Sequence, residues 1–129
     1  MIRLGIIGYG YWGPVVARNF LSTDGCQLVA ICDVNSRSQD RARKAHPGTL
    51  ITGDPCDLLH STNIDAIAII TNVDTHYDFA RAALENGKHV FVEKPFTASS
   101  AEALQLIELA AARKLQIMEI GRASCRERV

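Results

Sequence analysis

The sequence has little of what would place it in several large classes of protein. It has no run of 18 apolar residues, and an apolar stretch begins at Ile2 with no charged segment before it, so we expect neither a membrane span nor a secretion signal. The four cysteines show no Cys-x-x-Cys spacing, which predicts inert, reduced thiols in a cytoplasmic protein. Because His46, His60 and His89 lack the spacing of metal ligands, we predict no metal site.

An excess of charge of one sign is also absent. Fourteen basic and fourteen acidic side chains balance, and no basic run is interleaved with aromatic residues. Nothing therefore draws the chain to nucleic acid or to an anionic membrane. At 129 residues, 47% of them hydrophobic, the chain is long enough to bury one core, and we predict a single domain.

A glycine-rich turn follows the first apolar stretch. The residues after Ile7 are Gly8-Tyr9-Gly10-Tyr11-Trp12-Gly13, and a helix is predicted to start at about Pro14. In such a pattern the first glycine permits a sharp turn, the second lets the backbone approach a pyrophosphate, and the third lets the helix pack closely. The free amides and the helix dipole face the anion. We predict a dinucleotide-binding loop with contacts from Gly8, Gly10, Tyr11, Trp12 and Gly13.

A carboxylate follows the second apolar stretch. Leu28 to Cys32 reads as a strand and ends at Asp33, about 20 residues beyond Gly13, where a carboxylate accepts hydrogen bonds from both hydroxyls of an adenosine ribose. Arg37, four residues later, would neutralise a 2′-phosphate, whereas Asp33 would repel one. These two residues predict NAD as the cofactor and leave NADP possible.

Strand and helix patterns alternate along the chain. This alternation predicts an α/β fold, a doubly wound, mostly parallel Rossmann sheet with helices on both faces. The fourth strand, Ala66 to Ile70, is continuously apolar, as a central strand buried on both faces requires. Further strands are predicted at residues 50–52 and 89–92, and a sixth begins between Leu115 and Met118.

Capping patterns predict where the helices begin. Ser36 with Gln39, and Ser99 with Glu102, form capping boxes, and Thr75 is predicted to cap the helix after the fourth strand. The predicted buried stripe of the last helix consists of Leu104, Ile107 and Ala111.

Polar residues follow several of the predicted strands. In the strand order 3-2-1-4-5-6 the first and fourth strands are neighbours, and a crevice opens at their carboxyl ends. The glycine loop follows the first strand, Asp33 the second, Thr71 and Asn72 the fourth, and Lys94 the fifth. We therefore predict that these residues converge on one crevice.

Three of these stretches carry a family resemblance. The glycine loop, Thr71 to His76, and above all Gly87-Lys88-His89-Val90-Phe91-Val92-Glu93-Lys94-Pro95 resemble the N-terminal NAD(P)-binding domain of the glucose-fructose oxidoreductase, inositol dehydrogenase and MocA superfamily, over about residues 1 to 118. The resemblance implies an enzyme that transfers a hydride between a nicotinamide and a secondary alcohol of a sugar, polyol or similar metabolite. It also implies that the parent protein is a homo-oligomer.

The resemblance also implies roles for individual residues. Gly8, Gly10 and Gly13 are implied to bind the pyrophosphate, and Asp33 the adenosine ribose. The implied loop beside the cofactor contains Thr71, Asn72 and His76. Lys94 is the implied catalytic residue, because a cation there stabilises developing alkoxide charge and can take part in proton transfer. Glu93 is implied to orient Lys94 or the nicotinamide-side ribose.

Several of these residues keep a second interpretation. Thr71 and Asn72 are also turn formers, and His76 is also readable as a helix-start residue satisfied by backbone groups. Lys94 as a surface lysine fits less well, because Glu93-Lys94-Pro95 ends a buried strand at the crevice.

The end of the chain departs from the resemblance. Family members continue into a second α/β domain that forms the other wall of the active site and supplies the acid/base, and we expect that domain to be absent here. Residues 119–129 have no helical or strand period and look like a translated sequencing adapter. We predict a Rossmann domain at residues 1–118, truncated in or after its sixth strand, and a non-native tail at 119–129.

Two functional alternatives stay open. A dinucleotide-sensing module without catalysis would have the same fold. A methyltransferase of Rossmann type fits less well, since Glu93-Lys94-Pro95 has no role in one. With no opposite wall to orient a substrate or exclude water, we expect the fragment by itself to be inactive.

Overall fold

The computed structural model describes residues 1–120, and the rest of the predicted non-native tail, residues 121–129, lies outside the described residues. Within residues 1–120 no helix combines the length and the apolar character needed to cross a membrane. The strands are β1 (Ile2–Ile7), β2 (Cys26–Cys32), β3 (Leu50–Thr52), β4 (Ala66–Ile69), β5 (His89–Glu93) and β6 (Ile117–Ile120). The helices are α1 (Gly13–Leu21), α2 (Ser36–Ala45), α3 (Cys56–Leu59), α4 (Val73–Glu85) and α5 (Ser100–Ala112).

The six strands form one parallel sheet in the order β3-β2-β1-β4-β5-β6. Both the predicted doubly wound α/β fold and the predicted strand order are confirmed. β1 pairs with β2 on one side and with β4 on the other, where Leu4 lies opposite Ala66 and Ile7 opposite Ile69. Strands are therefore added to one side of β1 up to β3 and to its other side from β4 onwards. The carboxyl ends of β1 and β4 border the predicted crevice.

The sheet is buried on both faces, and successive residues of its central strands point into different cores. Ile67 and Ile69 of β4 pack into one core with α4 and α5, whereas Ala66 and Ala68 pack into the other with α1 and α2. A fully buried isoleucine contributes about 1.5–3 kcal/mol by transfer from water. Both faces thus need apolar residues, which explains the unbroken apolar run of β4.

The predicted cap of α2 is wrong by one residue. Asn35, not Ser36, has the extended backbone of an N-cap, and its side-chain oxygen accepts a hydrogen bond from the Ser38 amide at 3.0 Å. Gln39 completes no capping box, because its side-chain amide donates to the carbonyl oxygen of Asp33 at 2.7 Å. Asparagine and serine cap helices about equally well, so the course of the chain after β2 decides between adjacent residues.

The predicted cap of α4 is also wrong. The helix begins at Val73 with Asn72 in the N-cap position, which places Thr75 inside the first turn. The Thr75 hydroxyl donates to the carbonyl oxygen of Asn72 at 2.7 Å. The end of this helix agrees with the prediction, since Gly87 follows it with a left-handed φ of 79°.

The last helix has the predicted cap but a different buried stripe. The Ser99 side chain accepts a hydrogen bond from the Glu102 amide at 3.3 Å. Leu106 and Ala110 are buried, whereas Leu104 and Ile107 of the predicted stripe are exposed. The helix is apolar on more than one side, so its sequence period allowed two stripes, and packing against the sheet selected one.

β6 begins inside the stretch predicted for its start. It begins at Ile117 and pairs with β5 as far as Glu93 opposite Ile120. Its last two residues belong to the segment predicted to be non-native. The origin of residues 119–129, and with it the domain boundary at residue 118, stays a prediction.

Candidate functional site: a dinucleotide cleft at the carboxyl ends of the strands

The three glycines of the loop after β1 differ in what requires them. Gly8 has a φ of 106°, and a Cβ there would collide with the carbonyl oxygen of Ile70. A Cβ on Gly13 would lie 2.6 Å from the carbonyl oxygen of Gly8. A Cβ on Gly10 would meet no protein atom within 4 Å. The fold therefore requires the first and third glycines, while the second leaves open space beside the backbone.

Asp33 joins the loop after β1 to the end of β2. Its two carboxylate oxygens accept hydrogen bonds from the amides of Tyr9 and Asn35, each at 2.8 Å. A carboxylate oxygen has a second lone pair, so Asp33 can still accept hydrogen bonds from ligand hydroxyls. On α2, Arg41 donates to the carbonyl oxygen of Tyr9 at 3.1 Å, and Arg37 is exposed.

A cleft of about 390 Å³, the polar cleft, lies where β1, β2, β4 and β5 end. Its lining residues come from all four strand ends and from the glycine loop: Gly8, Gly10, Tyr11, Trp12, Asp33, Ile70, Thr71, Asn72 and Glu93. All of these except Ile70 were predicted as site residues from the sequence. These residues therefore lie around one crevice, as predicted.

A second, more apolar cleft of about 250 Å³ adjoins the first and shares Gly8, Asp33, Thr71 and Asn72 with it. The apolar cleft adds Ile7, Cys32, Val34, Pro55, Thr75 and Phe79. None of these six residues was predicted as a site residue from the sequence. One signal was available, because Val34 is an apolar residue directly after Asp33, and the structure leaves its side chain 82% exposed.

Hydrogen bonds within the first turn of α4 fix the loop after β4. Because the Thr75 hydroxyl donates to Asn72, the Thr71 hydroxyl donates to Thr75, at 2.7 Å. Thr71 and Asn72 are thus held in a turn and also line the cleft, so the two interpretations of these residues are compatible.

The resemblance implied that His76 lies in the loop beside the cofactor, but the structure places it elsewhere. It belongs to α4, its side chain is 1% exposed, and its ring contacts backbone carbonyl oxygens of Thr71, Pro95 and Phe96. The alternative interpretation, a helix-start residue satisfied by the backbone, describes this geometry. Because the helix begins at Val73, His76 lies within its first turns, on the side that is buried.

Lys94 follows β5 directly, after Glu93, which lines the polar cleft. The Lys94 side chain is exposed, and the peptide bond between Lys94 and Pro95 is cis. The Phe96 amide donates to the Glu119 carboxylate at 2.8 Å. Because β1 and β5 are parallel strands of one sheet, Lys94 and Gly10, which follow their carboxyl ends, lie at the same edge of the sheet.

Burial controls the titration of two groups near the clefts. Burial, followed by the charge of Asp33, raises the pKa of the Cys32 thiol to about 12, which keeps it protonated and agrees with the predicted inert thiol. Burial also raises the pKa of Tyr9, whose ring packs edge-on against His46 with ring centres 6.0 Å apart.

An open parallel sheet with a glycine loop and a carboxylate at its switch point defines a dinucleotide-binding domain of Rossmann type. The family model described as "Oxidoreductase family, NAD-binding Rossmann fold" matches residues 2–120, and the chain belongs to that family. The family resemblance in the sequence is therefore confirmed. NAD(P) is the cofactor of this domain.

Individual relatives agree with the family match. The chain is 40% identical over 114 residues to the oxidoreductase YdgJ of Escherichia coli (strain K12). The aligned region covers 84% of this chain and 31% of that protein. It is 33% identical over 110 residues to myo-inositol 2-dehydrogenase of Thermotoga maritima, covering 83% of this chain and 32% of that one. The crystal structure of an NAD-binding protein from Listeria innocua superposes with a TM-score of 0.85 and 30% identity, over 92% of this chain and 34% of that one. The chain spans about a third of the length of these relatives.

Proposed function

We propose that the chain is the cofactor-binding part of an oxidoreductase that transfers a hydride between NAD and a secondary alcohol of a sugar, polyol or similar small metabolite. The observation that carries the proposal is the polar cleft, to which the ends of β1, β2, β4 and β5 all contribute. The relative from Thermotoga maritima, a myo-inositol 2-dehydrogenase, supports a polyol as the substrate class.

In this proposal each part of the site has one task. The amides of the glycine loop and the N-terminus of α1 bind the pyrophosphate, and the open side of Gly10 is where it approaches the backbone. Asp33 accepts hydrogen bonds from the adenosine ribose and disfavours a 2′-phosphate by charge repulsion. The apolar cleft, with Val34 and Phe79, takes the adenine.

The reacting end of the cofactor lies towards the end of β5. Bound NAD supplies the hydride acceptor. Lys94 provides a positive charge that stabilises an alkoxide developing on the substrate and assists its proton transfer. Glu93, at the wall of the polar cleft, orients Lys94 or the nicotinamide-side ribose.

We further propose that the residues reading the substrate belong to a second domain of the parent protein, since the relatives are about three times as long as this chain. The chain alone then binds cofactor but does not turn over substrate, because one wall of the active site is missing. The parent is proposed to be a cytoplasmic homo-oligomer without a nucleic-acid or membrane partner.

Trp12 offers a direct assay of cofactor binding. It is the one tryptophan in the sequence, and it lines the polar cleft. Titration with NADH should quench Trp12 emission and sensitise nicotinamide emission, whereas S-adenosylmethionine should do neither. Binding of S-adenosylmethionine alone would overturn the proposal.

Catalysis needs a second experiment, on the complete parent protein. Lys94→Ala should abolish NAD reduction with polyols, while NADH binding weakens by no more than about tenfold. Unchanged turnover in this variant would remove Lys94 from the chemistry, and NADH binding with no polyol oxidation by the unaltered parent would favour a dinucleotide sensor.

A further inference from the structure

The ring of His76 connects two loops that are far apart in sequence. Its Nδ1 lies 2.9 Å from the carbonyl oxygen of Pro95 and 3.3 Å from that of Phe96, in the segment after β5. Its Nε2 lies 3.0 Å from the carbonyl oxygen of Thr71, in the loop after β4. The side chain is 1% exposed, so water does not compete for these contacts.

Both loops carry residues of the proposed cofactor site. Thr71 lines the polar cleft, and Pro95 is bonded directly to Lys94. The Lys94 side chain is exposed, so its place beside the cleft depends on the backbone that carries it. A donor that holds the Pro95 carbonyl therefore acts on the position of Lys94.

Carbonyl oxygens only accept hydrogen bonds, and a neutral imidazole has one N–H. Two carbonyl oxygens converge on Nδ1 and one on Nε2. We propose that His76 is a positioning residue, whose Nδ1–H holds the Pro95–Phe96 backbone and thereby keeps Lys94 at the nicotinamide end of the cleft. This inference rests on the proposed function of the cleft.

Two conservative variants separate the two sides of the ring. The side-chain amide of asparagine reaches about as far as Nδ1 of histidine, and that of glutamine about as far as Nε2. His76→Asn therefore keeps a donor facing Pro95, while His76→Gln places its donor on the Thr71 side and leaves none for Pro95. His60→Asn is the matched control, because His60 is exposed at the end of α3 and away from both clefts.

The 129-residue chain is titrated with NADH and with ADP-ribose, which lacks the nicotinamide. Loss of one buried hydrogen bond corresponds to roughly a five- to tenfold change, which is about 1–1.4 kcal/mol. His76→Gln should weaken NADH by about this factor and leave ADP-ribose unchanged, and His76→Asn and His60→Asn should keep the affinity ratio of the two ligands. Equal losses for both ligands in His76→Gln, or the same ratio change in both His76 variants, would overturn the proposal.

A double variant tests whether His76 acts through Lys94. In the Lys94→Ala background, His76→Gln should cause no further loss of NADH affinity. An additive loss would contradict positioning of Lys94. Thermal unfolding of each variant reports how far the substitution affects the fold as a whole.

Nitrogen NMR of the unaltered chain decides the contact even if a variant fails to fold. The His76 Nδ1 should have the chemical shift of a protonated ring nitrogen and show coupling across a hydrogen bond to the Pro95 carbonyl carbon. An unprotonated Nδ1 would refute the proposal. If the unaltered chain bound neither ligand, the proposed function would fail, whereas the NMR result would still test the His76 contact.

Discussion

Gly10→Ala is the substitution that best separates cofactor binding from folding. The Gly10 backbone has no left-handed φ, and the added methyl group would meet no protein atom within 4 Å. The folded chain therefore accommodates alanine without strain, and loss of backbone freedom in the unfolded chain should leave stability unchanged or raise it by up to about 1 kcal/mol.

The same methyl group occupies the space through which a pyrophosphate would approach the loop. Displacing the phosphate by the depth of a methyl group costs one or two charge-assisted hydrogen bonds from loop amides, about 2–4 kcal/mol. NADH should consequently bind roughly 30- to 1,000-fold more weakly.

The assay is the titration of Trp12 fluorescence with NADH, paired with thermal unfolding of the same samples. Gly48→Ala is the matched control, because a Cβ there also meets nothing within 4 Å and the residue lies outside both clefts. Gly13→Ala is the opposite control, since its Cβ would lie 2.6 Å from the Gly8 carbonyl oxygen. Forcing that contact apart should cost about 1–3 kcal/mol of stability. Unchanged NADH affinity in a folded Gly10→Ala chain would refute the placement of the pyrophosphate.

Three further predictions concern Asp33, Asn35 and Asp65. Asp33→Ala should weaken NAD more than NADP in calorimetric titrations, and equal loss of both would remove the carboxylate from the ribose. Asn35→Ala should lower the free energy of unfolding in urea by about 1 kcal/mol, while Ser36→Ala should change it little; the reverse order would contradict the observed cap. Hydrogen bonds from Arg3 lower the pKa of Asp65 from 3.8 to about 2. The pair therefore stabilises the fold fully above pH 3.8, and this stabilisation is lost as the pH falls through about 2. Asp65→Asn should flatten the acid limb of the unfolding-temperature profile, and an unchanged limb would show that other groups produce it.

Much of the cleft was predictable because parallel α/β folds have a strong topological rule. The central strands of this sheet have clear apolar runs, and the carboxyl ends of parallel strands meet at one edge. Residues within two positions of a strand's carboxyl end, such as Asp33 and Thr71, therefore had predictable positions. The glycine spacing likewise predicted which backbone atoms come close together.

The errors have a common cause, which is competition between equivalent local signals. Asn35 and Ser36 both suit a helix cap, and two apolar stripes run along α5. Local sequence cannot rank such alternatives, because the difference depends on how the chain enters the helix and on what packs against it. The apolar cleft escaped prediction for a different reason, since its lining is assembled from segments as distant as Pro55 and Phe79.

The sequence by itself determined the class of fold, the strand order and the rim on which the polar residues collect, because hydrophobic period and glycine spacing are local properties of the chain. Tertiary structure alone decided the place of His76. An imidazole at the start of a helix can face solvent, ligand or core, and here packing of α4 against the sheet buried the ring between two backbone segments. A contact that joins Thr71 to Pro95 exists only once both strands that precede them have paired.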